Sequence, residues 1–158
     1  MRSQVLNGVI GGLIGGLVFG LMMQMMSAPT PDGKSMPMMQ MVAMVVRSDN
    51  MGIGWLYHLF NSAVIGAIFG ALLGSRVQTY AGGLLLGALY GFVWWILGGL
   101  ILMPVLLGMP SFAPLLMPPM QMVAVGSLMG HMIFGVILGA AYAWLTQRRH
   151  ALQTAPAR

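Results

Sequence analysis

Cysteine is absent from this 158-residue chain, and charged side chains are scarce, with seven Lys or Arg and two Asp or Glu. The absence of cysteine excludes disulfide bonds, cysteine-bound iron–sulfur clusters and thiolate zinc sites. Charged residues make up 6% of the chain, whereas they make up about a quarter of an ordinary soluble domain. Together with a mean hydropathy of +0.86, this scarcity indicates an integral membrane protein.

Four uncharged, apolar segments are long enough to cross about 30 Å of hydrocarbon as helices. They are residues 5–26, 52–74, 80–103 and 126–145. We therefore expect an all-α fold, an integral membrane four-helix bundle, in which the lipid bilayer is the main partner.

The few charges are divided unevenly between the two sides of such a four-span chain. One side carries both termini and the basic residues Arg2, Arg76, Arg148, Arg149 and Arg158, without an acid. The other side carries Lys34 and Arg47 together with Asp32 and Asp49. Because cytoplasmic segments are enriched in Lys and Arg, we expect both termini to lie in the cytoplasm. The basic residues are not clustered with aromatic residues, so nucleic acid is not an expected partner.

The two halves of the chain share three blocks of sequence in the same order. Gly11–Leu13 matches Gly82–Leu84, the Met-rich block 36–43 matches 117–124, and His58 with Gly66 matches His131 with Gly139. We predict two tandem repeats, residues 1–76 and 77–147, and a basic cytoplasmic tail, residues 148–158. An even number of spans in each repeat makes the two repeats parallel in the membrane.

Each repeat is expected to consist of a span, an outer half-helix and a second span. The outer segments are residues 27–51 and 104–125. The apolar stretch Met36–Val46 is too short to cross the membrane, which favours an interfacial or re-entrant half-helix. Residues 117–125 run into the fourth span without a polar break, and they either form the matching half-helix or extend that span.

Glycine recurs at every fourth residue in all four spans. These residues are Gly8, Gly12, Gly16, Gly20, Gly66, Gly70, Gly74, Gly83, Gly87, Gly91, Gly135 and Gly139. On a helix this spacing gives a smooth stripe that lets another backbone approach closely. The pattern predicts close helix packing, within the bundle or between copies of the chain.

Methionine is abundant, with 18 residues, most of them near the outer ends of the spans. Thioethers fill irregular apolar interfaces, and they are also soft ligands suited to Cu(I) or Ag(I). His58 and His131 lie at equivalent positions on the second and fourth spans. Three interpretations of these histidines stay open. They form polar bridges between helices, for example from His58 to Asn61 or Ser62; they are axial ligands of haem b; or they bind metal with Met51, Met129 and Met132.

Catalysis has little support in the sequence. The acidic residues, Asp32 and Asp49, lie outside the four spans, and no Ser or Thr has a recognisable base. We therefore expect a protein that is not an enzyme.

Three short motifs carry a resemblance to known proteins. They are Gly54–His58 at the start of the second span, Trp94-Trp95 through Met103-Pro104, and the His131, Gly135, Gly139 series that ends at Tyr142. With these motifs the chain resembles a group of small bacterial four-helix inner-membrane proteins of unknown function. The resemblance implies the same fold and location, and it implies no activity.

The residues and the resemblance together predict a non-enzymatic membrane component that acts through helix contacts. It would work as a homo-oligomer or as an accessory of a larger membrane complex. The alternatives are the binding of Cu(I) or Ag(I) by Met and His on the periplasmic side, and a haem b protein with two histidine ligands.

Overall fold

The computed structural model describes residues 2–30 and 34–154, with side chains as far as residue 149. The helices are α1 Arg2–Gln24, α2 Met38–Met44, α3 Met51–Leu73, α4 Tyr80–Trp94, α5 Met103–Leu106, α6 Ala113–Leu116 and α7 Gln121–Thr154. A π-helical stretch, Trp95–Leu102, joins α4 to α5. Asp32 and Arg158, which contribute to the predicted orientation, lie outside the described residues.

Four helical stretches in the described part of the chain are long and apolar enough to cross a membrane. They are Arg2–Gln24, Met51–Arg76, Tyr80–Leu106 and Pro118–Arg149. The prediction of four long apolar helices is therefore confirmed. Polar N-cap residues mark the starts of α3 and α4. The Asn50 side chain accepts a hydrogen bond from the Gly52 N–H at 2.8 Å, and the Thr79 hydroxyl accepts one from the Gly82 N–H at 3.0 Å.

The first outer segment folds as a small hairpin followed by a short helix. Strands β1, Ser27–Pro29, and β2, Ser35–Pro37, pair antiparallel, which departs from the expected all-α fold. Helix α2 then packs across the start of α3, and it buries Met39 and Ala43 completely. It ends at Met44, and Arg47, in the turn that follows, has a φ of 59°.

The second outer segment differs from the first because residues 121–125 continue the last long helix. Of the two possibilities for residues 117–125, a separate half-helix or an extension of the fourth span, the structure has the extension, from Gln121 onward. Pro104 has no N–H to offer to the Leu100 carbonyl one helical turn earlier. The Phe112 N–H takes that place and donates to Leu100 O at 2.6 Å, which folds the chain back before α6.

The long helices pack as a row in the order α3, α1, α7, α4. Glycines line the seams between α1 and α3 and between α4 and α7. A Cβ added at Gly12 would lie 2.9 Å from the Gly66 Cα, and one added at Gly87 would lie 3.1 Å from the Gly139 Cα. Because neither distance leaves room for a side chain, glycine allows the backbones to touch at these crossings.

The helices at the two ends of the row, α3 and α4, meet through side chains in the half of the bundle nearer to both described termini. The Tyr90 hydroxyl donates to the Ile65 carbonyl at 2.6 Å. The Phe69 ring, fully buried, contacts Tyr90 and Tyr142 with centroid distances of 5.2 and 5.6 Å. This hydrogen bond and these aromatic contacts thus join α3 to α4 through side chains.

Candidate functional site

A cavity of about 340 Å³ lies in the outer half of the bundle, between α3 and the π-helical stretch. Helix α2 covers it on one side, and the segment around Pro114 and Met120 covers it on the other. Its lining is mostly aliphatic, aromatic and thioether side chains, with few polar groups. A volume of this size and a lining of this kind are typical of sites for small apolar ligands.

Both histidines singled out in the sequence line this cavity, together with the Phe19 ring of α1. The Phe19 centroid lies 5.6 Å from that of His58 and 4.9 Å from that of His131, with edge-on geometry in both pairs. The structure therefore brings the two predicted site histidines to a shared aromatic centre on α1.

His58 connects two long helices. Its Nε2 lies 2.8 Å from the Gly16 carbonyl of α1, and because a carbonyl only accepts, Nε2 carries the proton and donates. The Ser62 hydroxyl donates to the His58 carbonyl at 2.8 Å. The polar-bridge hypothesis thus has a matching bond, although the partner of the imidazole is the Gly16 backbone and not Asn61 or Ser62.

His131 bonds differently, within its own helix. Its Nδ1 lies 2.8 Å from the Ser127 carbonyl and 3.3 Å from the Ser127 hydroxyl. Nδ1 therefore carries the proton in the neutral ring, and Nε2 keeps a lone pair. A Cβ added at Gly98 would lie 3.7 Å from that Nε2, so the π-helical stretch places a residue without a side chain beside this nitrogen.

The three methionines proposed as metal ligands with these histidines do not line the cavity. Met129 is 57% exposed on the outer surface of α7. Met51 lies beside Gln24, whose Nε2 donates to the Met51 sulfur at 3.0 Å. Met132 follows His131 directly and is half-buried outside the cavity lining.

Seven other methionines line the cavity with the histidines. They are Met23, Met26, Met38, Met41, Met103, Met109 and Met120. The sequence placed most methionines near the outer ends of the spans. It did not show how each helix is rotated about its axis, and therefore which methionines face the cavity. The periodic Met block from residue 36 onward was the signal that an inward-facing methionine surface exists.

Carboxylate ligands, which hard metal ions prefer, are scarce around the cavity. Within the described residues no group of three or more His, Cys, Asp or Glu lies close enough to hold a metal ion. Any metal in the cavity would therefore depend on thioethers and the two imidazoles, a donor set suited to soft monovalent ions.

A haem b between the two histidines does not fit this geometry. Axial ligation needs a nitrogen of each imidazole directed at one iron atom. The His58 Nε2 is engaged by the Gly16 carbonyl, and the Phe19 ring stands against both imidazoles. One of the two required nitrogens is therefore already bonded, and an aromatic ring lies beside both imidazoles.

Comparison with known proteins gives a family and no activity. No curated protein matches the chain, and no solved structure matches it. A family model described as a family of unknown function, DUF6789, matches residues 2–153 and so covers nearly the whole chain, including both histidines and the cavity. The chain therefore belongs to the DUF6789 family, a family of unknown function.

Proposed function

We propose that the chain is a non-enzymatic, multi-pass protein of the bacterial inner membrane with both termini in the cytoplasm. The observation that carries this proposal is the set of four long apolar helices. Large apolar side chains such as Leu17, Leu85 and Leu89 are more than half exposed along these helices. An apolar surface of this extent is compatible with lipid and not with water.

The proposal includes two tandem parallel repeats, and the helix contacts support it. In the first half, Gly12, Gly16 and Gly20 of α1 meet Gly66, Ser62 and His58 of α3. In the second half, Gly83, Gly87 and Gly91 of α4 meet Gly139, Gly135 and His131 of α7. The residues that match in sequence thus make matching contacts.

We propose that the protein acts as a scaffold through helix contacts, as a homo-oligomer or as an accessory of a larger membrane complex. The glycine stripes are occupied within the chain, so a second copy or a partner would meet the outward apolar faces. One such face contains Leu56 and Phe60 of α3, which are 67% and 66% exposed. Mass measurement of the detergent-solubilised chain tests the homo-oligomer, and a monomer that resists crosslinking in membranes would contradict it.

Reporter fusions test the membrane topology. A reporter that is active in the cytoplasm, fused after residue 154, should give a signal, and a periplasmic reporter inserted after Ser48 should also give one. The positive-inside distribution of Lys and Arg is the physical reason. Reporters of the opposite kind at the same two positions are the matched controls. A signal from the periplasmic reporter after residue 154, or from the cytoplasmic reporter after Ser48, would contradict the proposed orientation.

A second candidate function is the binding of Cu(I) or Ag(I). Its support is the convergence of seven methionines and two histidines on one cavity, because thioether and imidazole ligands suit soft monovalent ions. Ag(I) titration of the purified chain tests it, with Met38→Leu and Met41→Leu combined as the cavity variant and Met129→Leu as the matched exposed control. Equal Ag(I) binding by all three proteins would overturn this candidate.

A further inference from the structure

His58 and His131 occupy equivalent positions in the two halves, but they use opposite ring nitrogens. His58 donates from Nε2 to the carbonyl of Gly16 on the neighbouring helix. His131 donates from Nδ1 to the carbonyl of Ser127, one turn earlier on its own helix. One ring therefore stabilises a helix pair, and the other is held by its own helix and has its second nitrogen left over.

That second nitrogen, Nε2 of His131, is a hydrogen-bond acceptor at the cavity. Both hydrogen-bond contacts of the His131 ring involve Nδ1, and among the described residues Nε2 has no hydrogen-bond partner. In the same part of the chain every fully buried side-chain nitrogen or oxygen has a partner, so Nε2 is not fully buried. It follows that Nε2 is accessible from the cavity. The neighbouring wall is glycine, since an added Cβ at Gly99 would lie 3.4 Å from His131 Cε1 and one at Gly98 would lie 3.7 Å from Nε2.

The cavity that contains this acceptor reaches the exposed surface of the bundle at an apolar edge. Val64 of α3 and Leu102 and Leu106 of the third span line it and are 40%, 50% and 57% exposed. In a membrane this edge faces the acyl chains. A molecule dissolved in the bilayer can therefore enter between α3 and the third span without crossing water.

The charge of the surroundings narrows the chemistry of the occupant. Among the described residues no Lys or Arg lines the cavity. A carboxylate or phosphate would lose its hydration there and gain no counter-charge. A neutral hydroxyl group can give its proton to the bare Nε2 and needs no counter-charge.

We propose that this cavity binds a neutral amphiphile from the bilayer, an aliphatic chain that ends in a hydroxyl group, and that the hydroxyl donates to His131 Nε2. The chain lies among the cavity methionines, whose flexible thioethers adapt to variable shapes. The inference rests on the membrane placement proposed above, but the binding itself is measurable in detergent and so can be tested separately.

A photoactivatable dodecanol that carries a diazirine in its chain tests the proposal on the purified full-length protein in detergent. The methyl ether of the same molecule is the matched probe, because it has the same chain and no donor. We expect the alcohol to bind the wild type roughly 2- to 12-fold more tightly than the ether, the range of one net hydrogen bond. Peptide mapping should place the label on cavity-lining segments of α2, α3 and the third span.

Two variants separate the acceptor from the shape of the cavity. His131→Phe keeps a flat ring and removes the acceptor, so the preference for the alcohol over the ether should disappear. Gly98→Ala adds a methyl group beside Nε2 and should weaken binding of the alcohol while the fold is retained. Met129→Leu, outside the cavity, should behave as the wild type.

Several outcomes would overturn the proposal. These are equal binding of alcohol and ether by the wild type, an undiminished preference in His131→Phe, and labels confined to residues outside the cavity. If His131→Phe fails to fold, unchanged alcohol binding by Gly98→Ala overturns it as well. Failure of the topology fusions would instead contradict the membrane placement and leave these binding results valid.

Discussion

The third span contains two glycines for which the same substitution should have different effects on stability. At Gly87 an added Cβ would lie 2.9 Å from the Gly135 carbonyl carbon and would also press on that carbonyl oxygen. These are backbone atoms of α7 and cannot rotate away, so the two helices must separate. At Gly98 the nearest atoms are side-chain atoms at 3.7 and 3.8 Å, an ordinary van der Waals contact.

Gly87→Ala should therefore be less stable than Gly98→Ala by about 1–3 kcal/mol, the usual cost of overpacking. A helix-propensity gain of about 1 kcal/mol accompanies a change from glycine to alanine, and it applies to both variants, so comparing them isolates the packing cost. Unfolding in SDS, followed by circular dichroism in mixed micelles, measures the difference. Equal midpoints, or a higher midpoint for Gly87→Ala, would refute the glycine-contact reasoning.

Three further predictions follow from single contacts and use the same unfolding assay. Met39→Ala should cost about 2–5 kcal/mol because the Met39 side chain, on α2, is fully buried, whereas Met44→Ala, at an exposed position on the same helix, should change stability by less than about 0.5 kcal/mol; similar losses would contradict the burial of Met39. Tyr90→Phe should cost about 0.5–1.5 kcal/mol through loss of the bond to Ile65, and an unchanged midpoint would contradict that bond. Asn50→Ala should cost about 0.5–2 kcal/mol as a lost N-cap, and substitution by Asp should retain most of the stability.

The long helices were predictable because their cause is local. A span needs only apolar residues in sequence and no charge, and both conditions are visible in the composition. The apolar runs predicted starts at residues 52 and 80 for the second and third spans, and the helices begin at Met51 and Tyr80. The hairpin at Ser27–Pro29 was not predicted, since strands of three residues carry almost no periodic signal.

The cavity could not be predicted, since it depends on contacts distant in sequence. The Leu100 carbonyl accepts its hydrogen bond from the distant Phe112 N–H, and that pairing decides where the chain folds back after the third span. The rotation of each helix decides which methionines face inward, and a chain rich in methionine on every face does not reveal it. The duplication predicted equivalent histidines, but their different bonds follow from the neighbours, Gly16 for one ring and Ser127 for the other.

Nitrogen-15 NMR of the histidine-labelled protein in lipid bilayers tests the account most directly. The spectra of His58→Gln and His131→Gln identify the resonances of these two rings among those of the three histidines. The account predicts opposite neutral tautomers, with the proton on Nε2 of His58 and on Nδ1 of His131, and a shift of the His131 Nε2 resonance when dodecanol is added. The same tautomer in both rings, or a His131 Nε2 that carries a proton and ignores the alcohol, would contradict it.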